Sequence, residues 1–217
     1  MVKLDIFSDP VCPWCYIGKT NLDRALAQVG DHPFEIEYHP FQLNPDFPPE
    51  GMDRRAYMDA KFGGREGAVK AYLPVQEHAD KAGLTIDFEA IARTPNTLDA
   101  HRLIHWAGIE QRQQVVVQRL FEAYFREGRD IGDRDVLCDI ADSAEMDAGV
   151  VARLLAADAD TDTIRTRDTE ARKMGVQSVP TFIVAGQHAV PGAQPPDLWV
   201  QVTGEIMAKL EDAGDAE

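Results

Sequence analysis

Two segments near the beginning of the chain alternate between apolar and polar residues, and they predict β strands. In residues 2–7 the apolar side chains fall on one side, and residues 34–41 repeat the alternation. Between them, residues 16–29 carry apolar side chains at the spacing of an amphipathic helix. A strand, a helix and a second strand in this order predict a βαβ unit whose two strands are parallel.

The middle of the chain shows almost only helical periodicity. A proline-rich stretch, residues 43–51, breaks the strand pattern and predicts an extended connection before it. Residues 85–88 are predicted to form one short extended piece. The predicted helices end at a glycine or begin at an acidic residue, as helix boundaries often do. They cover residues 72–82, 97–107, 111–127, 133–143 and 147–155.

Alternation between strand and helix patterns returns in the last quarter of the chain. A charged helix is followed by two short strands and a closing helix, over residues 162–174, 181–184, 188–190 and 196–213. The late strands complete a sheet only if they pair with the strands at the start. We therefore predict one α/β domain interrupted by a large all-helical insertion. Its parts are residues 1–45 (βαβ), 46–160 (helical insertion) and 161–217 (αββα).

Size and charge restrict the classes of function. With 217 residues the chain can bury a hydrophobic core without disulfides or metals. A formal net charge of -15 argues against binding to nucleic acid or to an anionic membrane surface. No segment approaches the roughly 18 apolar residues of a membrane-spanning helix. The first residues enter a strand pattern at once, so we expect no secretory signal. Because three cysteines make no secreted disulfide scaffold, we expect the cytoplasm.

A Cys-x-x-Cys pair, Cys12 and Cys15, lies where the first strand gives way to the first helix. Pro13 suits the first helical position, because its missing N–H would have no partner there. Unpaired N–H groups and the positive end of the helix dipole favour the thiolate of an exposed Cys12. Cys15 faces the same side one turn further on and can close a disulfide with Cys12. This arrangement predicts thiol–disulfide exchange.

Structural roles for the cysteines and histidines fit the sequence less well. A structural zinc site needs four ligands, and neither a second Cys-x-x-Cys nor a histidine pair at finger spacing is present. A structural disulfide across so short a loop would remove little unfolded-state entropy. Cys138 is predicted to be a small buried side chain on an amphipathic helix. His101 and His105 share a helix face but have no evident third ligand, so no metal is predicted.

Taken together, the motifs resemble the thioredoxin superfamily and, within it, the DsbA-like group. The resemblance rests on the sequence CPWC at residues 12–15, on the helical insertion, and on GVQSVPTF at residues 175–182. Residues 7–15, 96–102 and 192–194 narrow it to the FrnE-type subgroup, which is related to 2-hydroxychromene-2-carboxylate isomerases and kappa-class glutathione transferases. It covers nearly the whole chain and implies a thioredoxin fold interrupted by the helical insertion.

The resemblance also implies roles for single residues. Cys12 would attack a substrate and form the mixed disulfide, and Cys15 would resolve it. Val179 and Pro180 match the position of a cis-proline loop beside the active disulfide. There the backbone of Val179 would pair with an extended substrate in the manner of an added strand.

Further substrate contacts are expected around the cysteine pair. Pro13 and Trp14 lie between the cysteines, and Trp14 is expected to form part of an apolar docking surface. By analogy, Asn96 and His101 are expected to line a substrate groove. The related isomerases and transferases carry a serine at the position of Cys12. A thiol at this position therefore favours dithiol exchange over isomerisation of a glutathione-dependent substrate.

We therefore expect an enzyme, a DsbA-like thiol–disulfide oxidoreductase or isomerase, acting on protein or small-molecule thiols and disulfides. No cofactor is expected, and glutathione as a redox co-substrate stays open. One alternative is a glutathione-dependent isomerase or transferase. Another is a peptide-binding, chaperone-like module whose cysteines sense oxidation. The sequence leaves the direction of electron transfer and the oligomeric state open.

Overall fold

The first three elements form the predicted βαβ unit in a computed structural model, which describes residues 1–214. Strand β1 (Val2–Ser8) leads into helix α1 (Pro13–Val29), and strand β2 (Phe34–Pro40) returns beside β1. The two strands are parallel and stay in register over their whole length. Both strand predictions and the helix prediction are confirmed.

Helices make up most of the chain that follows β2. In order, the elements are β3 (Met52–Asp53), α2 (Arg54–Phe62), α3 (Arg65–Lys81), β4 (Arg93–Thr94), α4 (Leu98–Ile109), α5 (Gln113–Phe125), α6 (Arg134–Ser143) and α7 (Ala148–Ala156). The predicted helices from α4 to α7 are confirmed within two residues at each end. Strands β3 and β4 form a short antiparallel pair that the sequence pattern did not predict.

The sequence pattern misses the beginning of this helical region. Helix α2 was not predicted, and α3 begins at Arg65 instead of residue 72. Most side chains of α2 and of the first turns of α3 are exposed or half-buried, so no apolar stripe marks them. Residues 85–88, predicted to be a short extended piece, form neither a helix nor a strand. The backbone N–H of Asp87 is bonded to the carbonyl of Phe125 instead of a strand neighbour.

The remaining strands of the main sheet come from the other end of the chain. Helix α8 (Thr161–Lys173), strands β5 (Thr181–Val184) and β6 (His188–Pro191), and helix α9 (Pro196–Gly214) follow in turn. Strand β5 is antiparallel to β1 and β6 is antiparallel to β5, which gives the order β2-β1-β5-β6. The predicted fold is confirmed. Its part boundaries at residues 45 and 160 stay predictions, and residues 215–217 of the last part lie outside the described residues.

Strands of the main sheet turn alternate side chains to its two faces. Ile6 and its strand partner Phe182 lie on the face covered by α9, where Phe182 packs on Trp199 with ring centroids 4.7 Å apart. Glu37 lies on the other face, where Arg167 of α8 donates to it at 2.7 Å. One face of the sheet is therefore apolar core and the other carries ion pairs. Within residues 1–214 no helix is both long and apolar enough to cross a membrane.

Arg102 of α4 joins the helices of the middle region from a fully buried position. Its side chain is 0% exposed, and its guanidinium donates to the backbone oxygens of Leu154 and Ala159, each at 2.6 Å. It also donates to the carboxylate of Asp99 at 2.6 Å. The last carbonyls of a helix have no partner inside it, so this cation satisfies the end of α7.

We expect Arg102→Ala to lower the free energy of unfolding by about 3–5 kcal/mol, because it removes a fully buried cation together with its bonds to the carbonyls of Leu154 and Ala159 and to Asp99. Asp99 then keeps only its bond from Arg134. Urea unfolding followed by circular dichroism measures the change. The control is Arg119→Ala, which removes a surface pair to Glu122. That variant should change stability by less than about 1 kcal/mol. Equal effects of the two substitutions would contradict the role given to Arg102.

Candidate active site

Cys12 occupies the N-cap of α1, a 17-residue helix whose first residue is Pro13. The backbone N–H of Cys12 donates to the carbonyl of Asp9 at 2.9 Å, and the N–H of Cys15 donates to the carbonyl of Cys12 at 3.0 Å. These bonds close the turn between β1 and the helix. Cys12 therefore lies where the free N–H groups and the helix dipole favour a negative charge.

Both thiols are free, and both are buried. Cys12 is 5% exposed and Cys15 is 2% exposed. The prediction of an exposed Cys12 is wrong, because the loop before β5 lies against it. The Cys12 thiol donates to the backbone oxygen of Val179, with Sγ 3.6 Å from that atom.

The loop that carries Val179 and Pro180 is held against α1 by backbone contacts and by a close approach. The Val179–Pro180 peptide bond is cis, and the carbonyl of Pro180 accepts a bond from the N–H of Gly192 at 2.8 Å. A Cβ at Gly18 of α1 would lie 3.0 Å from Cγ of Pro180. The absence of a side chain at Gly18 therefore lets the loop approach the cysteine helix. The structure thus brings Val179 and Pro180 to Cys12.

Cys15 lies deeper than Cys12 and in a different environment. Burial raises the pKa of the Cys15 thiol well above its usual 9.0, and the neighbouring Cys12 raises it further. Polar groups of Ser8 and of the Asp9 backbone lower it by less. Burial also raises the pKa of Tyr38 well above 10.0, and the charges of Asp23 and Cys15 add to that shift. Cys15 therefore stays a protonated thiol at neutral pH.

The other predicted substrate contacts lie at different distances from the cysteines. Trp14 is half-buried and meets His78 of α3 edge-on, with ring centroids 5.0 Å apart. Asn96 is half-buried and lines a cavity of about 660 Å³ whose described lining contains neither cysteine. Its amide donates to the carbonyl of Phe47 at 2.7 Å and accepts from Gln42 at 3.1 Å. Direct substrate contacts by Trp14, Pro13 and Asn96 stay predictions.

His101 does not line a surface groove, so that prediction is wrong. Its side chain is 3% exposed, because α4 packs against β2 and α5 and turns this face into the interior. Its Nε2 lies 3.5 Å from Oδ1 of the buried Asp9.

Cys138 of α6 is half-buried instead of fully buried. Burial raises the pKa of its thiol, and the charges of Asp135 and Asp139 raise it further.

Three residues of the site escaped the sequence analysis. Ser8 is the last residue of β1 and Tyr38 is the strand partner of Ile6, and both lie close to Cys15. Gly18, which has no side chain, leaves space for Pro180 of the loop before β5. The alternation of β2 could have identified Tyr38, because it places this residue on the buried side of the strand. A buried tyrosine needs a partner for its hydroxyl, which marks it as a candidate site residue.

Asp5, Glu37 and His39 place their ligand atoms within 4.8 Å of one another, as metal ligands would. Two cations already occupy this cluster. Lys3 lies 3.0 Å from both carboxylates, and Arg167 donates to Glu37 at 2.7 Å. Burial lowers the pKa of His39 despite its bond to Asp5. We assign the cluster as an ion-pair network on the charged face of the sheet.

A model of the DSBA-like thioredoxin domain family matches residues 3–202, a stretch that includes both cysteines and the Val179–Pro180 loop. The chain belongs to this family. Membership supports a thiol–disulfide oxidoreductase or isomerase at a general level, and it confirms the predicted resemblance to DsbA-like proteins.

Two solved structures and one sequence relative are similar to this chain over most of its length. The uncharacterized protein YwbO of Bacillus subtilis is 27% identical over 216 residues, which are 96% of this chain and 98% of the relative. The probable DsbA oxidoreductase SCO1869 from Streptomyces coelicolor has a TM-score of 0.83 at 28% identity, covering 96% of this chain and 91% of that one. A 2-hydroxychromene-2-carboxylate isomerase shares the fold, with a TM-score of 0.69 at 16% identity and 99% of each chain covered. The FrnE-type subgroup is consistent with these similarities.

At neutral pH we expect iodoacetamide to modify Cys12 of the folded protein well before Cys15. Burial and the neighbouring Cys12 keep Cys15 protonated, and only a thiolate reacts readily. Modification of Cys15 should rise only as the pH passes well above 9.0. Timed quenching followed by fragment-ion mass spectrometry assigns the label to one sulfur. In urea the two rates should converge, and equal rates in the folded protein would contradict the assignment.

Proposed function

We propose that the protein is a thiol–disulfide oxidoreductase that cycles between a Cys12–Cys15 dithiol and a disulfide, and that it can isomerise substrate disulfides. The observation that carries the proposal is the position of Cys12. Its thiol lies at the N-cap of a long helix and 3.6 Å from the backbone oxygen of Val179. A second, protonated thiol lies one helical turn away. This is the arrangement that exchange through a mixed disulfide needs.

In the reducing direction, the thiolate of Cys12 attacks one sulfur of a substrate disulfide. A bond forms from Cys12 Sγ to that sulfur, the substrate S–S bond breaks, and the other substrate sulfur leaves as a thiolate. Cys15 gives up its proton and attacks Cys12 Sγ, which closes the Cys12–Cys15 disulfide and releases the second substrate thiolate. Two electrons pass from the dithiol to the substrate. The reverse sequence oxidises a substrate dithiol.

The Val179–Pro180 loop supports binding of an extended substrate beside Cys12. Its carbonyl already accepts a bond from the Cys12 thiol, so it lies within reach of any chain attached to that sulfur. We propose that the backbone of Val179 pairs with the substrate main chain, which provides affinity without strict sequence preference. Pro180 has no N–H, so the loop offers no donor at that residue. Trp14 and Pro13 are proposed to give the neighbouring apolar contact.

The proposed partners are protein and small-molecule thiols and disulfides, with glutathione among the small molecules. We propose the cytoplasm as the compartment, because a cytoplasmic Cys-x-x-Cys is kept reduced and available for catalysis. The net charge of -15 supports neither nucleic acid nor an anionic membrane as a partner.

We expect Cys12→Ser to abolish insulin-disulfide reduction and the reshuffling of a scrambled disulfide protein. Cys15→Ser should instead accumulate mixed disulfides with the substrate, because the resolving thiol is gone. Turbidity of reduced insulin and non-reducing gels measure the two outcomes. Cys138→Ser is the matched control and should keep wild-type activity. Wild-type rates in both the Cys12 and Cys15 variants would overturn the proposal.

Oxidised glutathione should convert the Cys15→Ser variant into a single glutathionyl adduct on Cys12. The wild-type protein should release glutathione instead, because Cys15 resolves the same adduct. Intact-mass spectrometry before and after dithiothreitol measures both states. The absence of an adduct at Cys12 would remove glutathione from the proposed partners.

The chaperone-like alternative is tested with a variant that lacks both Cys12 and Cys15. Protection of unfolded client proteins by that variant would favour the alternative.

A further inference from the structure

Three polar atoms below the cysteine turn are buried without a hydrogen-bond partner among the described residues. They are Oδ1 of Asp9, the hydroxyl of Tyr38 and Nε2 of His101. They come from three separate parts of the fold: the loop after β1, the central part of β2 and helix α4. Buried polar groups in folded proteins are nearly always paired, so three orphans in one place call for a physical reason.

Asp9 is held so that one of its carboxylate oxygens points at His101. The side chain is 0% exposed, and its Oδ2 accepts a bond from the N–H of Leu43 at 2.7 Å. Its Oδ1 lies 3.5 Å from Nε2 of His101. The same residue accepts the N–H of Cys12 with its carbonyl at 2.9 Å. Asp9 and His101 thus form a buried carboxylate–imidazole pair attached directly to the cysteine turn.

A small cavity is lined both by His101 of this pair and by Ser8, whose side chain acts on the Cys15 thiol. It has a volume of about 10 Å³ and is lined by Ser8, Tyr38, His39 and His101, among others. That volume is about one water, and the lining supplies the polar partners that a buried water needs. Polar groups of Ser8 and of the Asp9 backbone act directly on the Cys15 thiol. A proton path can therefore run from Cys15 past Ser8 to His101.

His39 shares the cavity but cannot serve as the acceptor. Its Nε2 is 2.6 Å from Oδ1 of Asp5, and its Nδ1 is 3.0 Å from the guanidinium of Arg167. Both ring nitrogens are therefore engaged, whereas Nε2 of His101 has no hydrogen bond. The Tyr38 hydroxyl is held neutral by burial, which raises its pKa. The titratable groups around the Asp9–His101 pair come from several elements. Tyr38 and His39 of β2 line the cavity with His101, and the backbone N–H of Cys12 is bonded to the carbonyl of Asp9. Asp168 of α8 accepts the N–H of Gln42, the residue before the Leu43 that binds Asp9.

Resting on the proposed function, we propose that the Asp9–His101 pair accepts the proton of Cys15 during the resolving step. The proton leaves Cys15 Sγ, passes through the Ser8 hydroxyl and one water in the cavity, and ends on Nε2 of His101. Cys15 then attacks Cys12 Sγ, and the Cys12–substrate bond breaks with its electron pair on the departing thiolate. The new imidazolium faces the carboxylate of Asp9, which stabilises it in a buried site. His101 is a positioning and proton-accepting residue that never touches the substrate.

The two exchange steps can be separated with Ellman's reagent, 5,5′-dithiobis(2-nitrobenzoate), in a stopped-flow experiment on the full chain. Cys12 attacks the reagent and releases one coloured thiolate at a rate that depends on reagent concentration. Cys15 then releases the second at a rate that does not. All proteins in this experiment carry Cys138→Ser, which removes the third free thiol. In that background Cys15→Ser shows only the first phase and identifies it. A wild-type protein without the second phase would overturn the proposed function itself.

We expect His101→Gln and Asp9→Asn each to slow the second phase about 100-fold, as loss of a general base does, while the first phase stays close to wild type. The deficit should shrink as the pH rises, because hydroxide then removes the Cys15 proton directly. His105→Gln, the same change one helical turn away, is the matched control and should leave both phases unchanged. Wild-type second phases in the Asp9 and His101 variants would overturn the inference, and so would equal slowing of both phases.

A measurement on the unmodified chain covers the case in which the variants fail to fold. The inference makes removal of the Cys15 proton the limiting event of the resolving step. The second phase should therefore be slower in D₂O than in H₂O, and the first phase should change little. Equal second-phase rates in the two solvents would overturn the inference while leaving the proposed function intact.

Discussion

The antiparallel pairing of β1 with β5 is the contact on which the site depends. It joins residues 4–7 to residues 181–184 across the whole helical region, with Phe7 opposite Thr181. Because the strands run in opposite directions, the end of β1 lies beside the beginning of β5. The cysteine turn follows the first, and Pro180 immediately precedes the second. The contact between Cys12 and Val179 is therefore a consequence of strand register. The missing side chain of Gly18 leaves the space that Pro180 occupies beside α1.

The helical region is part of the site and not only an attachment to the sheet. Tyr16 of the cysteine helix stacks on Phe121 of α5 with ring centroids 5.0 Å apart, and Trp14 meets His78 of α3. From α4, His101 reaches the carboxylate below the cysteine turn. Helix α1 is thus enclosed by the sheet, α9 and the inserted helices. This enclosure explains why both sulfurs are largely buried although the motif lies at a helix N-terminus.

Burial gives the two cysteines different chemistry. Burial raises the pKa of Cys15. Cys12 instead lies at the N-cap, where the helix dipole favours a negative charge. The same burial carries a cost, since a thiol that stays protonated must lose its proton before it can resolve a mixed disulfide. The buried polar atoms of Asp9, Tyr38 and His101 have no hydrogen-bond partner among the described residues, and we propose that His101 accepts that proton. Stability alone would favour apolar side chains there.

The sequence by itself determined the elements of the main sheet, the helices α4 to α7, the family and the cysteine pair. Each of these is written in local periodicity or in a contiguous motif. The weakly apolar α2 and the start of α3 left no such pattern, because most of their side chains face solvent. The resemblance already implied that Val179 lies beside the cysteine pair. Only the tertiary structure decided that this contact leaves Cys12 buried and that His101 is buried beside Asp9. Residues this far apart in sequence meet through strand register and helix packing, and a single sequence records neither.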